Sequence, residues 1–182
     1  MITGKNYIGN QLSAKGNKAF KTFNPLLNID NQWEITEASK EEINQAADLA
    51  SEAFRAYSKI SGIRKAEFLR TIADEIEALG DKLLEVYSSE SGLPNGRAIG
   101  ERGRTLGQLR AFANHIENGN WVDASIDTAQ PEHKPMPKVD LRKMNVALGP
   151  VVVFGALLLV SFCFSGLVMR RVTGPLSALK SE

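Results

Sequence analysis

The side chains best suited to chemistry in this chain are one cysteine, two histidines and a string of arginines. A cysteine attacks as its thiolate, which needs a neighbouring base or cation to lower the thiol pKa. Cys163 stands in Phe162-Cys163-Phe164 with neither nearby, the setting of a buried, inert thiol. His115 and His133 are too far apart and too poorly accompanied for a metal, which wants three or four ligands at helical or loop spacing. They read as surface or structural residues. Glu90, in Ser88-Ser89-Glu90-Ser91-Gly92 near a predicted helix end, has the chemistry of a general base but reads as a solvated carboxylate. Arg97, Arg102, Arg104 and Arg110 could make a phosphate-binding helix face, but Glu101 among them favours a solvated face instead. No G-x-G-x-x-G or P-loop pattern is present to cradle a phosphate.

The elements that would position these groups must come from one ordinary domain, since 182 residues at 43% hydrophobic content allow a single sizeable core. The 22 Lys and Arg nearly cancel the 21 Asp and Glu, which removes the field that nucleic acid or an anionic membrane surface would need. A single cysteine cannot form an internal disulfide, and Met1-Ile2-Thr3-Gly4-Lys5 lacks the apolar core of a signal peptide. Both point to the cytoplasm. One feature departs from this picture: Val146 to Met169 is a run of 24 residues without a formal charge, followed by Arg170-Arg171.

Short β-prone stretches at Lys5-Asn6-Tyr7-Ile8 and Phe20-Lys21-Thr22-Phe23, each punctuated by a turn, predict two strands. Ser39 three residues before Glu42 has the spacing of a capping box and predicts a helix from about residue 40. Its apolar face, Ile43, Ala46, Ala47, Ala50, Ala53, Phe54 and Tyr57, must pack on something. Ala66, Leu69, Ile72, Ala73, Ile76 and Leu79 predict a second helix, and Leu83, Leu84 and Tyr87 a third that ends before Gly92. A fourth runs from about Ala98 to Asn118, where Gly100, Gly103 and Gly107 suggest close backbone approach. Residues 119 to 145, rich in proline, predict an extended crossing segment. Val151-Val152-Val153-Phe154, after Gly149-Pro150, has the form of a buried strand of a parallel sheet.

Three stretches together carry a resemblance. The first is Phe23-Asn24-Pro25, with the alanine-rich helix Ala46-Ala47 to Ala53-Phe54 after it. The second is Arg64-Lys65 to Leu69-Arg70 through Ile76-Glu77 and on to Glu90-Ser91-Gly92-Leu93-Pro94. The third is Asp140 to Met144, then Leu148-Gly149-Pro150-Val151-Val152-Val153-Phe154-Gly155-Ala156. Residues 1 to 156 thus resemble the amino-terminal part of an NAD(P)-dependent aldehyde dehydrogenase, most of all the enzymes that oxidise 2-oxoglutarate semialdehyde (2,5-dioxovalerate). The resemblance implies an α/β fold: an incomplete amino-terminal part of the cofactor-binding domain, mostly helical, followed by an apolar C-terminal tail. It also implies an aldehyde substrate, NAD or NADP as cofactor, a homo-oligomeric parent, and nicotinamide-side contacts from Phe154, Gly155 and Ala156.

The resemblance fails at one point. In such enzymes the next loop runs S-N-F-P, and the asparagine amide stabilises the oxyanion formed when thiolate attacks the aldehyde. Here the positions are Leu157-Leu158-Leu159-Val160, and an aliphatic side chain has no donor to offer. The regions that carry the family's nucleophilic cysteine and general-base glutamate are not found in the 182 residues, and Cys163 is not that nucleophile. Echoes persist in the tail: Phe162-Cys163-Phe164-Ser165 is similar to the family's F-x-F-S and Ser177-Ala178-Leu179-Lys180-Ser181 to its S-A-L-K-S. The expectation is a truncated, inactive relative that binds no cofactor, organised as 1–156 plus an aberrant tail, 157–182, produced by a frameshift. The alternative is a small membrane-anchored protein with its span at about 151–169, nineteen residues against the roughly 20 that a bilayer needs. A third reading has the chain assembling with intact subunits through residues 119 to 145.

Overall fold

The structure is a computed structural model that describes residues 2–153. Two antiparallel hairpins open the chain, β1 (Asn6–Ile8) with β2 (Gln11–Ser13) and β3 (Ala19–Asn24) with β4 (Ile29–Thr36). Four helices follow: α1 (Lys40–Tyr57), α2 (Gly62–Ala78), α3 (Asp81–Ser91) and α4 (Asn95–Glu117). A 3-10 turn at Asn120–Val122 leads to a third hairpin, β5 (Ser125–Asp127) with β6 (Leu141–Lys143). The architecture is mixed α/β and mostly helical, as expected.

The sequence predicts two strands before α1, and four form. β4 is obscured because an inward position is polar: Asn31, Trp33 and Ile35 share the inner side, and Asn31 is buried only by donating its amide to Thr22 Oγ1 at 3.0 Å. On β3 the inward residues are Phe20, Thr22 and Asn24, while Phe23 lies exposed. Asn24 Oδ1 then accepts from the backbone N–H of Leu26 at 3.0 Å and of Leu27 at 3.1 Å, which turns the chain at Pro25 toward β4.

The core lies among α2, α3 and α4. Ala73, Ile76, Leu83 and Leu106 form its centre, with Ile72, Leu79 and Leu109 packed around them. Small residues set the spacing, since Ala66, Ala73 and Ala113 are fully enclosed and let α2 and α4 approach closely. α3 ends at Gly92, whose φ of +69° is the left-handed cap conformation. A Cβ there would come within 2.8 Å of Pro25 Cγ, so the same glycine also seats the β3–β4 turn against the helix end.

Four further expectations change. The capping box of α1 is present, with Ser39 Oγ accepting from Glu42 N at 3.2 Å and Glu42 Oε2 accepting from Ser39 N at 2.8 Å. The apolar face behind it is open, however: Ile43 is 58% exposed, and Ala46, Ala47, Ala50 and Ala53 are exposed beside it. Nothing among the described residues covers it. The glycines of α4 mark no close approach either, because a Cβ at Gly100, Gly103 or Gly107 would meet nothing within 4 Å. Residues 119 to 145 form a hairpin rather than an extended crossing, since Gln130 and Lys138 exchange backbone hydrogen bonds that turn β6 back along β5. Val151, Val152 and Val153 form no strand and are 74%, 73% and 87% exposed. A strand needs a neighbour for its N–H and C=O groups, and no described residue supplies one.

Candidate functional site

The segment expected to lead into the site begins at Asn145, just after β6. Its backbone N–H donates to Val122 O at 2.8 Å and its side-chain amide donates to Trp121 O at 3.0 Å. Both acceptors belong to the turn that closes α4, so one residue fastens the start of 146–153 to the end of the helical core. Beyond it, Val146, Leu148, Val151, Val152 and Val153 present apolar side chains to solvent. Phe154, Gly155 and Ala156, the cofactor-side candidates, lie outside the described residues. So do Leu157 to Val160, Cys163 and all but the first residues of the 151–169 run. Among the described residues, no helix is long and apolar enough to cross a membrane.

The arginines considered for phosphate are committed elsewhere. Arg97 and Arg104 both pair with Glu101, at 2.7 and 3.1 Å, and Arg102 donates to Gly80 O at 3.2 Å. Arg110 bridges α4 to α2 through Glu77 at 2.8 Å and Asp74 at 3.1 Å, which raises its pKa above the ordinary arginine value. Arg70 makes the reciprocal link from α2, to Glu117 and to Asn114 Oδ1 at 2.8 Å. Its hydrogen bonds hold the Glu117 carboxyl below the usual carboxylate range. Arg70 and Arg110 link α2 to α4 and Arg102 links α4 to the start of α3, while Arg97 and Arg104 pair within α4; the α4 arginine face is a solvated one.

His115 is exposed on α4, and His133 is exposed in the β5–β6 connection with its Nδ1 3.1 Å from Met136 O. Glu90 is not the solvated carboxylate that the sequence suggests. It is partly buried at the end of α3 and accepts from Trp33 Nε1 at 2.9 Å, which ties that helix to β4. Trp33 and Asn145 are the positioning residues that the sequence reading missed. A lone indole in a polar strand, and an amide placed just before a long uncharged run, are the signals that mark them.

With this arrangement in view, comparison with known proteins is decisive. A profile of the aldehyde dehydrogenase family matches residues 12–154. The chain belongs to the aldehyde dehydrogenase family. Among curated aldehyde dehydrogenases, it is 44% identical over 156 residues to alpha-ketoglutaric semialdehyde dehydrogenase 2 of Azospirillum brasilense, and 42% identical over 153 residues to alpha-ketoglutaric semialdehyde dehydrogenase of Acinetobacter baylyi. These alignments take in 85% and 84% of this chain but only 30% and 29% of the relatives' length. In fold, the chain resembles betaine aldehyde dehydrogenase of Staphylococcus aureus, solved in complex with NAD+, at a TM-score of 0.65 and 18% identity. The overlap covers 72% of this chain and 27% of that one. A benzaldehyde dehydrogenase from Corynebacterium glutamicum gives a TM-score of 0.58 at 16% identity, over 70% and 27% of the two chains. The family match thus takes in the four helices and the hairpins β3–β4 and β5–β6.

Proposed function

We propose that residues 1–156 are the amino-terminal elements of an NAD(P)-dependent dehydrogenase that oxidises 2-oxoglutarate semialdehyde to its carboxylic acid. The observation that carries this reading is the identity of 44% and 42% to two alpha-ketoglutaric semialdehyde dehydrogenases across five-sixths of the chain. In such chemistry a thiolate adds to the aldehyde carbon, the adduct passes hydride to the nicotinamide, and water hydrolyses the thioester to release acid and thiol. The share of that cycle we assign here is support: the helical core positions the segment 146–153, and the resemblance assigns nicotinamide-side contacts to Phe154, Gly155 and Ala156. The parent acts as a cytoplasmic homo-oligomer.

The 182-residue chain does not itself complete the cycle. Leu158 stands where an oxyanion donor belongs, and among the described residues the arginines able to hold the cofactor's phosphates are engaged with Glu101, Asp74, Glu77, Glu117 and the Gly80 carbonyl. The change at Leu157 falls within three residues of the end of the family match at 154. This coincidence supports a shift of reading frame as the origin of residues 157–182. Val151 to Val153 are not helical, which favours this reading over a membrane-spanning helix that begins at 151.

The test is the coding DNA. Read in its other frames downstream of the Ala156 codon, it should encode S-N-F-P and then G-G-D-T. The frame-restored protein should oxidise 2-oxoglutarate semialdehyde with NAD(P), and more efficiently than succinate or malonate semialdehyde. Absence of both motifs would remove the frameshift, and a restored protein indifferent to 2-oxoglutarate semialdehyde would remove the substrate assignment.

A further inference from the structure

Helix α1 has 18 residues, and the only one of them that is buried is Glu42. A helix normally adheres to its domain through an apolar stripe, but here that stripe faces solvent and an ionisable side chain lies 1% exposed instead. Three donors from separate segments converge on its two oxygens. Ser39 N–H, at the cap of α1, reaches Oε2 at 2.8 Å, and Lys15 N–H, in the link between β2 and β3, reaches Oε1 at 3.1 Å. The Ser13 side chain, at the end of β2, supplies the third. α1 also meets its neighbours elsewhere: Leu49 lies against Gly9 in the β1–β2 turn, and Tyr57 meets the Phe68 ring of α2 edge-on, with Lys65 Nζ over the Tyr57 ring.

We propose that Glu42 is an acid-operated latch that holds α1 to the amino-terminal hairpin. A carboxylate accepts only, and it suits three donors. Protonation puts an O–H on one oxygen, and that hydrogen must point at a donor. The Ser13 hydroxyl can rotate to accept it, but neither the Lys15 nor the Ser39 backbone N–H can. With the proton directed at Ser13, the Lys15 and Ser39 N–H groups keep only a neutral carboxyl, a weaker acceptor than the anion, and the charge-assisted attachment of α1 to β2 is lost. The charged group that acts on Glu42 from the facing segment is Lys15, whose ammonium favours the ionised form. Tyr7 is the one titratable residue of β1 and β2 and is neutral in acid. Glu37, Lys40 and Glu41 flank the cap in sequence.

The hydrogen bonds from Ser13, then Ser39 and Lys15, hold the Glu42 carboxyl below its ordinary value of 4.5. The sign follows from that direction. The latch is fully closed above the unfolded carboxyl's range and opens as pH falls through the lower folded value. Opening frees α1 and the hairpin while the core of α2, α3 and α4 stays assembled, because its centre contains only Ala, Ile and Leu.

Amide hydrogen exchange on the full 182-residue chain, expressed as protection factors and followed from neutral pH into the acid range, tests this. Wild type should lose protection across Lys40–Tyr57 and Gln11–Ser13 before it does across Gly62–Ala78 and Asn95–Glu117. Glu42→Gln places an NH2 where the O–H would be, and should show low α1 protection at neutral pH with no further acid step. Ser39→Ala removes the cap hydroxyl but keeps the carboxylate, and should retain the step. The proposal is overturned by α1 and α2 opening together in wild type, by Glu42→Gln behaving as wild type, or by Ser39→Ala abolishing the step. The wild-type and Ser39→Ala arms decide the matter even if Glu42→Gln fails to fold.

Discussion

Two isoleucines of the same chain, Ile76 and Ile43, give opposite forecasts for the same truncation. Ile76 is 3% exposed at the centre of the cluster made with Ala73, Leu83 and Leu106. Shortening it to alanine removes three carbons, worth about 2.4 kcal/mol at roughly 0.8 kcal/mol per buried methylene, and leaves a cavity between helices that hold one another fixed. The better helix propensity of alanine returns about 0.4 kcal/mol. With about 1 kcal/mol more for a cavity of roughly 40 Å³, the net loss should be about 3 kcal/mol. Ile43 is 58% exposed on α1, so fewer than half of its carbons gain from burial and no cavity forms. After the same propensity gain, Ile43→Ala should cost only about 0.5 kcal/mol. Urea denaturation followed by circular dichroism measures both losses, provided that the m-value stays the same between variants. If Ile43→Ala costs as much as Ile76→Ala, the α1 face is covered in solution and the reasoning from its exposure is wrong.

The glycines divide in the same way. Gly107→Ala, in a helix interior with open space around the new Cβ, should stabilise the chain by about 0.5–1 kcal/mol, whereas Gly92→Ala, at φ +69° and against Pro25, should cost at least about 1–2 kcal/mol in the same urea assay. Glu90→Ala strips Trp33 Nε1–H of its acceptor and should cost about 1–3 kcal/mol, with Glu90→Gln recovering part of that. Arg70 lowers the Glu117 carboxyl, so the pair's contribution is complete above the ordinary value of 4.5 and fades as pH falls through the folded value. Glu117→Gln should therefore lower the midpoint at neutral pH and flatten its decline in acid; an unchanged acid slope would show that the pair contributes nothing.

Those elements whose apolar residues recur with a clear period were legible in the sequence. α2 and α4 follow their patterns, Ser39 and Glu42 form the predicted capping box, and Gly92 caps α3. β4 was not legible, because Asn31 sits at an inward position and hides the alternation that Trp33 and Ile35 continue. The hairpin of β5 and β6 lies fully exposed, so no burial pattern marks it, and its prolines suggest an extended chain. For α1 and for Val151 to Val153, the sequence states what their side chains require and not whether the described residues supply it. Both have the apolar character of covered segments, and both lie open. The site residues come from resemblance alone, and Phe154, Gly155 and Ala156 lie outside the described residues. Spacing shows that Leu158 is an aliphatic residue in an uncharged run, but only the motif shows what chemistry it displaces.

We propose that this chain carries an aldehyde dehydrogenase's amino-terminal scaffold without its chemistry. The purified 182-residue protein, incubated with 2-oxoglutarate semialdehyde and either NAD+ or NADP+, tests it most directly through the near-ultraviolet absorbance of reduced nicotinamide, with calorimetric titration of each cofactor alongside. Neither cofactor should be reduced, and neither should give heat of binding. Steady turnover that is proportional to the protein added, or saturable cofactor binding, would contradict the proposal.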